Sequence, residues 1–157
     1  MQKKTKILIT GAGGYIGSCL HAYLREKFVI YALDKNNLNP WIKVKGNKFF
    51  KCNLLNIRKL KKIVEKIKPD IVIHLAAQST VSSKIDKKKY YLNNVIATKN
   101  LLNAMKISKI NNIIFSSTAA VYKNKKQPIK ESDKLFPKNN YGRSKLFAEK
   151  IIKKENL

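Results

Sequence analysis

Acidic residues are scarce in this chain: nine Asp and Glu stand against 34 Lys and Arg, a formal net charge of +25 over 157 residues. Long apolar runs are missing as well. Nothing approaches the roughly 18 consecutive apolar residues that a membrane-crossing helix needs, so no span is expected. Met1-Gln2-Lys3-Lys4-Thr5 leads into an apolar stretch too short for a secretory signal, which places the protein in the cytoplasm. There are two cysteines, Cys19 and Cys52, in no CxxC or metal-type spacing. They read as two buried or half-buried thiols in a reducing compartment rather than a disulfide framework or a metal site. Internal repeats, low-complexity tracts and Ser/Gly linkers are absent too. A single domain is expected, with 44% apolar residues to build its core.

A charge excess of this size ordinarily points to nucleic acid or an acidic membrane surface. Here the lysines are scattered, as at Lys59, Lys61 and Lys62, at Lys87 to Lys89, and at Lys123, Lys125 and Lys126. Few aromatics alternate with them as a stacking platform for bases would require. Lysine, asparagine and isoleucine are abundant together, and all three have A/T-rich codons. The excess therefore reads as compositional drift, with neither nucleic acid nor membrane expected as a partner.

Strand-like and helix-like runs alternate from the start. Lys6 to Thr10 reads as a strand, a glycine-rich turn follows, and a helix runs from about Tyr15 to Lys27. Phe28 to Leu33 is a second strand, leading into a polar loop with Asn36, Asn37, Asn39 and Pro40. Lys48 to Cys52 is a third, weaker strand. Leu60, Ile63, Val64 and Ile67 recur at helical spacing, and Pro69 closes that helix. Asp70 to Leu75 is a buried strand, about Tyr90 to Lys106 a long helix, Asn112 to Phe115 a fifth strand, and the last helix begins near Tyr141. Strands without polar alternation, separated by helices, predict a parallel sheet covered on both faces. That is an α/β, Rossmann-like doubly wound fold, stopping after the fifth strand and its helix.

Between the first strand and the first helix stands Thr10-Gly11-Ala12-Gly13-Gly14-Tyr15-Ile16-Gly17. Gly11 permits the tight turn, Gly14 lets a pyrophosphate approach the backbone, and Gly17 lets helix and strand pack closely. The helix N-terminus offers N–H groups and a partial positive charge to phosphate. Asp34 ends the second strand, where a carboxylate accepts hydrogen bonds from ribose hydroxyls and repels a 2′-phosphate. Together these point to a dinucleotide, NAD rather than NADP.

Tyr141-Gly142-Arg143-Ser144-Lys145 sets a tyrosine and a lysine one helical turn apart on one face. A phenol with a pKa near 10 is a poor base at neutral pH. A neighbouring ammonium and a positively charged nicotinamide ring favour phenolate. Ser116-Ser117-Thr118 follows the fifth strand, at the carboxyl edge where such sheets bind ligands, and Asn93-Asn94-Val95 lies on the preceding helix.

TGAGGYIGS, VIHLAAQSTV, YYLNNV, FSSTAAVY and YGRSK occur in this order from residue 7 to about 150, and as a set the chain resembles the UDP-glucose 4-epimerases, extended short-chain dehydrogenases. The resemblance implies an isomerase in which Tyr141 is the base. Lys145 would bind the nicotinamide ribose and depress the phenol's pKa, and Thr118 would hydrogen-bond the sugar hydroxyl. It implies NAD contacts at Gly11, Gly14, Tyr15, Ile16, Gly17 and Asp34, adenine contacts at Asn53 and Leu54, and further cofactor-side positions at Ala76, Ala77, Gln78, Asn94 and Ser116. The substrate implied is a UDP-sugar, oxidised at C4 and re-reduced on its other face. Related dehydratases carry an Asp-Glu pair after the threonine, where Ala119 and Ala120 stand here.

The chain departs from the pattern in three ways. Asn53 replaces an aspartate, which implies weaker adenine binding. Lys123 replaces a glycine after Val121-Tyr122. The resemblance also implies a sixth strand and a sugar-binding C-terminal domain, absent from 1–157. The expectation is therefore an NAD-binding domain with little turnover alone, completed by a missing portion or a complementing half, and pairing as a homodimer through helices near 90–106 and 141–154. A non-catalytic NAD-binding module and another nucleotide-sugar epimerase or reductase stay open, as does the identity of the sugar.

Overall fold

The computed structural model describes residues 4–38 and 48–155. Asn39 and Pro40 of the expected loop lie outside the described residues. Five parallel strands, β1 (Lys6–Thr10), β2 (Val29–Asp34), β3 (Phe49–Lys51), β4 (Ile71–His74) and β5 (Ile113–Phe115), form one sheet in the order β3-β2-β1-β4-β5. The central strands are apolar because both faces are covered. Leu8, Ile9, Ala32 and Val72 have no exposed surface.

One face packs against α2 (Ile57–Ile67) and α4 (Ala97–Ile107), where Leu8, Leu33 and Val72 meet Leu60, Val64, Leu101 and Met105. Helix α2 shows why so basic a chain still folds. Its four buried residues, Leu60, Ile63, Val64 and Ile67, form one stripe, and its cations lie off that stripe. The Asn56 side chain accepts a hydrogen bond from the Lys59 N–H at 3.1 Å and starts the helix; Lys68, at φ 45°, ends it before Pro69. The other face carries α1 (Tyr15–Leu24), over a smaller cluster of Ile7, Ile9, Ile30 and Ile73.

The helix expected from about Tyr90 begins earlier and is not regular. It opens as α3 (Lys87–Tyr90), where the Asp86 carboxylate accepts a hydrogen bond from the Lys88 N–H at 2.8 Å, widens into a π-helical turn over Tyr91–Ile96, and continues as α4. A single extra residue in a helical turn gives no signal in apolar periodicity, and such turns gather at functional sites. A 3₁₀ turn at Ala119–Val121 and α5 (Asn140–Lys154) complete the regular elements among the described residues. Cys52 is buried as expected, Cys19 is exposed, and the two are unpaired. Among the described residues no helix is long and apolar enough to cross a membrane, and no group of side chains is arranged to hold a metal ion.

Candidate active site

Strand order reverses direction between β1 and β4, and the carboxyl ends of the strands open there into a cleft of about 500 Å³. The glycine turn forms one wall. Gly11 adopts φ +73°, and a Cβ on it would lie 2.6 Å from the Ala76 nitrogen, so the turn is possible only for glycine. A Cβ on Gly17 would overlap the Gly11 carbonyl oxygen, which is why α1 can lie so close to the end of β1. Gly14 caps α1 with no side-chain hydrogen bond, so nothing of its own occupies the first-turn N–H groups facing the cleft. Tyr15 and Ile16 line the mouth and are among the most exposed large apolar residues, at 84% and 60%.

Asp34 lines the next wall. Its Oδ2 accepts from the Gly13 N–H and its Oδ1 from the Asn36 N–H, both at 2.9 Å. Each carboxylate oxygen keeps a lone pair for a hydroxyl. Asn53 and Leu54 close this end; the Asn53 amide oxygen turns back to accept the Leu55 N–H at 3.0 Å, and Leu54 is buried. Ala76 and Ala77 line the floor after β4, and Ser116 stands at the end of β5.

Tyr141 and Lys145 face the same cleft from the start of α5. The Asn139 side chain begins that helix by accepting the Gly142 N–H at 2.7 Å. Gly142 was not expected to matter, yet a Cβ there would overlap the Ala120 carbonyl, so this glycine sets how tightly α5 packs on the 3₁₀ turn. A glycine inside a helix costs about 1 kcal/mol against alanine, and that cost was the available signal. Lys145 is 2% exposed, with Nζ 3.9 Å from the centre of the Phe115 ring. Burial lowers its pKa to about 8, against a partial opposing pull from Glu149. A lysine so desolvated gains from an anionic neighbour.

Three expected residues lie off the cleft's walls. Thr118 opens the 3₁₀ turn, its Oγ1 accepting the Ala120 N–H at 3.2 Å, and lines a smaller cavity of about 340 Å³ with Glu131 and Glu149. The Ser117 hydroxyl is hydrogen-bonded to Glu149 beside it. Asn94 is 1% exposed. Its Oδ1 accepts the Gln78 N–H at 2.7 Å and its Nδ2 donates to the Gln78 carbonyl at 3.2 Å, so these two residues shape the turn after β4. Lys123 pairs its N–H with the Lys134 carbonyl at 2.9 Å, beside an antiparallel bridge of Tyr122 to Leu135.

Sequence reasoning passed over His74, which is fully buried at the end of β4. Burial, reinforced by the Lys145 charge, lowers its pKa to about 3. An unfolded chain carries histidine near pKa 6.5 and so binds the extra proton between those values. Stability is present at pH 7 and falls as pH drops below 6.5. The expected loss from His74 at pH 5 is about 2 kcal/mol, and His21, also lowered by burial, adds in the same direction. Urea unfolding of the parent and of His74→Gln at pH 7 and pH 5 measures it. Equal pH dependence in the two proteins would refute the assignment.

The profile of the NAD dependent epimerase/dehydratase family matches residues 7–156. The chain is 34% identical over 161 residues to a UDP-glucose 4-epimerase of Mycoplasma genitalium, covering 95% of this chain and 47% of that protein. It is 38% identical over 170 residues to a dTDP-D-glucose 4,6-dehydratase of Dictyostelium discoideum, covering 94% and 39%. Its fold superposes with a TM-score of 0.88 on a UDP-glucose 4-epimerase from Brucella ovis solved in complex with NAD, at 33% identity, covering 96% of this chain and 47% of that one. The chain thus spans about half the length of most of the curated relatives it matches.

Proposed function

The chain belongs to the NAD dependent epimerase/dehydratase family, and from that membership we propose that residues 1–157 form the NAD-binding and catalytic portion of a nucleotide-sugar epimerase, an isomerase of the UDP-glucose 4-epimerase type. The observation that carries this reading is the placement of Tyr141 and the buried Lys145 in one cleft with the glycine turn and Asp34.

The cradle suits a dinucleotide. A Cβ at Gly14 would meet only the Gly11 carbonyl, at 3.3 Å, so the space beside this glycine belongs to the cleft. Phosphates would lie at the α1 N-terminus, and ribose hydroxyls at Asp34. Adenine would lie by Asn53 and Leu54, and the nicotinamide end by Ser116, Tyr141 and Lys145. NAD, when bound, supplies the oxidant that takes hydride from the sugar carbon and returns it. Tyr141 would take the proton of the sugar 4-hydroxyl and later give it back. The Lys145 ammonium would stabilise the phenolate, and Thr118 would hold the sugar hydroxyl from the adjoining cavity. Ala119 and Ala120 offer no acid–base pair after Thr118, which favours epimerisation over dehydration.

In this reading the uridine diphosphate sugar is held largely by residues outside 1–157, joined in the same chain or supplied by a complementing half. The portion alone binds NAD with little turnover. A homodimer through the helices near 90–106 and 141–154 belongs to the proposal, supported by exposed Tyr91, Ile107 and Phe147. A cytoplasmic location does too, in keeping with the unpaired cysteines.

The test is calorimetric titration with NAD and NADP, followed by conversion of UDP-glucose to UDP-galactose by the completed protein. NAD binding with product formation supports the reading; failure of NAD to bind or to raise Tm sinks it. Asp34→Asn is expected to narrow the preference for NAD over NADP by about tenfold. Unchanged discrimination would remove Asp34 from the ribose site.

A further inference from the structure

Both ring nitrogens of His74 are engaged. Nδ1 lies 2.7 Å from Thr10 Oγ1 at the end of β1, and Nε2 lies 2.9 Å from Thr98 Oγ1 on α4. Proton positions follow from the single hydrogen of each hydroxyl. Thr98 donates its own to the Asn94 carbonyl at 2.7 Å, so toward His74 it accepts. His74 therefore carries its proton on Nε2, and Thr10 donates to Nδ1. Beyond Asn94 the chain of bonds continues. The Asn94 amide donates to Ser144 Oγ at 2.8 Å, and Ser144 donates to the Tyr141 carbonyl at 2.7 Å.

We propose that His74 is a positioning residue for the Tyr141–Lys145 pair, acting through Thr98, Asn94 and Ser144 to fix the first turn of α5 over the cleft. The proposal rests on the roles given above to Tyr141 and Lys145. A buried histidine with two partners is ordinarily a satisfied core residue. This one differs in where its bonds lead. They cross the π-helical turn through Asn94, which also grips Gln78, and end on the backbone of Tyr141.

The surroundings agree. Thr10 faces the ring from β1, Thr98 from α4, and Phe115 from β5 at 5.6 Å between centroids. Lys145 on α5 stacks its ammonium on that same Phe115 ring. A charged imidazole would set a second cation beside Lys145, whereas a neutral ring of fixed tautomer leaves the lysine's charge for Tyr141.

Three measurements on the intact chain decide it. Nitrogen NMR of the imidazole is expected to show the Nε2–H tautomer of His74 from about pH 5 to about pH 9, a range that spans the ordinary histidine value. An Nδ1–H form or an imidazolium at the lower end would overturn the relay. Thr98→Val is expected to speed amide exchange at residues 142–145 by about tenfold and weaken NAD⁺ binding by about tenfold, while ADP binding stays within about twofold. Thr98→Ser, which keeps the hydroxyl, should restore both. Ser144→Ala breaks the last link outside the sheet and should reproduce the valine result if Thr98→Val fails to fold. Variants that lower Tm yet leave amide exchange and the NAD⁺-to-ADP affinity ratio at parent values would reduce His74 to a core residue. If the parent binds no NAD⁺, the functional reading fails by itself, and the tautomer and exchange data still decide the relay.

Discussion

Tyr141→Phe in the completed protein is expected to cut epimerisation by roughly 10²- to 10⁴-fold, the range general acid–base groups supply, while NAD affinity stays within about threefold of the parent. The asymmetry follows from what the hydroxyl does and does not touch. The bond from Ser144 goes to the Tyr141 carbonyl, which phenylalanine keeps, and the ring still lines the cleft. Only the oxygen proposed to exchange a proton with the sugar is removed. Because the proton is transferred in the reaction and not in binding, the loss should fall on kcat with KM little changed. Parent-level turnover in the variant would show that some other group is the base. Lost NAD binding would show instead that the phenol is structural.

Gly17→Ala should do as much damage from farther away. One methyl group at this position would overlap the Gly11 carbonyl and lie 2.8 Å from the Ala12 Cα. Neither neighbour is a flexible side chain, so α1 must move as a body. Overpacking of this kind costs about 3 kcal/mol, equivalent to a fall in Tm of roughly 6–12 °C for a domain of this size. Helix α1 carries the N–H groups assigned to the phosphates, and losing one hydrogen bond to a charged group costs about 2 kcal/mol, which is roughly thirtyfold in affinity. NAD affinity should fall by at least about that factor. Parent-like Tm and affinity together would mean that helix and turn are not in close contact.

The glycine turn was legible because local chemistry left few alternatives. Three glycines between a strand and a helix, with a fourth in the helix's first turn, have one economical use, and Asp34 at the end of the next strand narrows it. The Tyr141–Lys145 pair was legible because the two residues lie one turn apart on a single helix. Thr118 was legible only in part: its place after β5 is correct, but the 3₁₀ turn swings it into the neighbouring cavity. Asn94 was identified as a cofactor-side residue, yet its amide groups are occupied by Gln78 and Ser144. Nothing in Tyr91–Ile96 betrays a π-helical turn, because such a turn obeys the same composition rules as its regular neighbours. His74 was hidden for a related reason. Its partners, Thr10 and Thr98, are remote in sequence, and a histidine inside DIVIHL looks like any core residue until the sheet brings the threonines together.

The widened turn at Tyr91–Ile96 also works as a phase shifter. A regular helix advances about 100° per residue, so an apolar stripe dictated by α2 would also dictate where every polar side chain upstream must point. One additional residue in the coil breaks that tie. Leu101, Leu102 and Met105 can keep their bearing on α2 while Asn94 turns toward Gln78 and α5. Core packing and active-site alignment are thereby set independently within a single rod, and a change to one need not rotate the other.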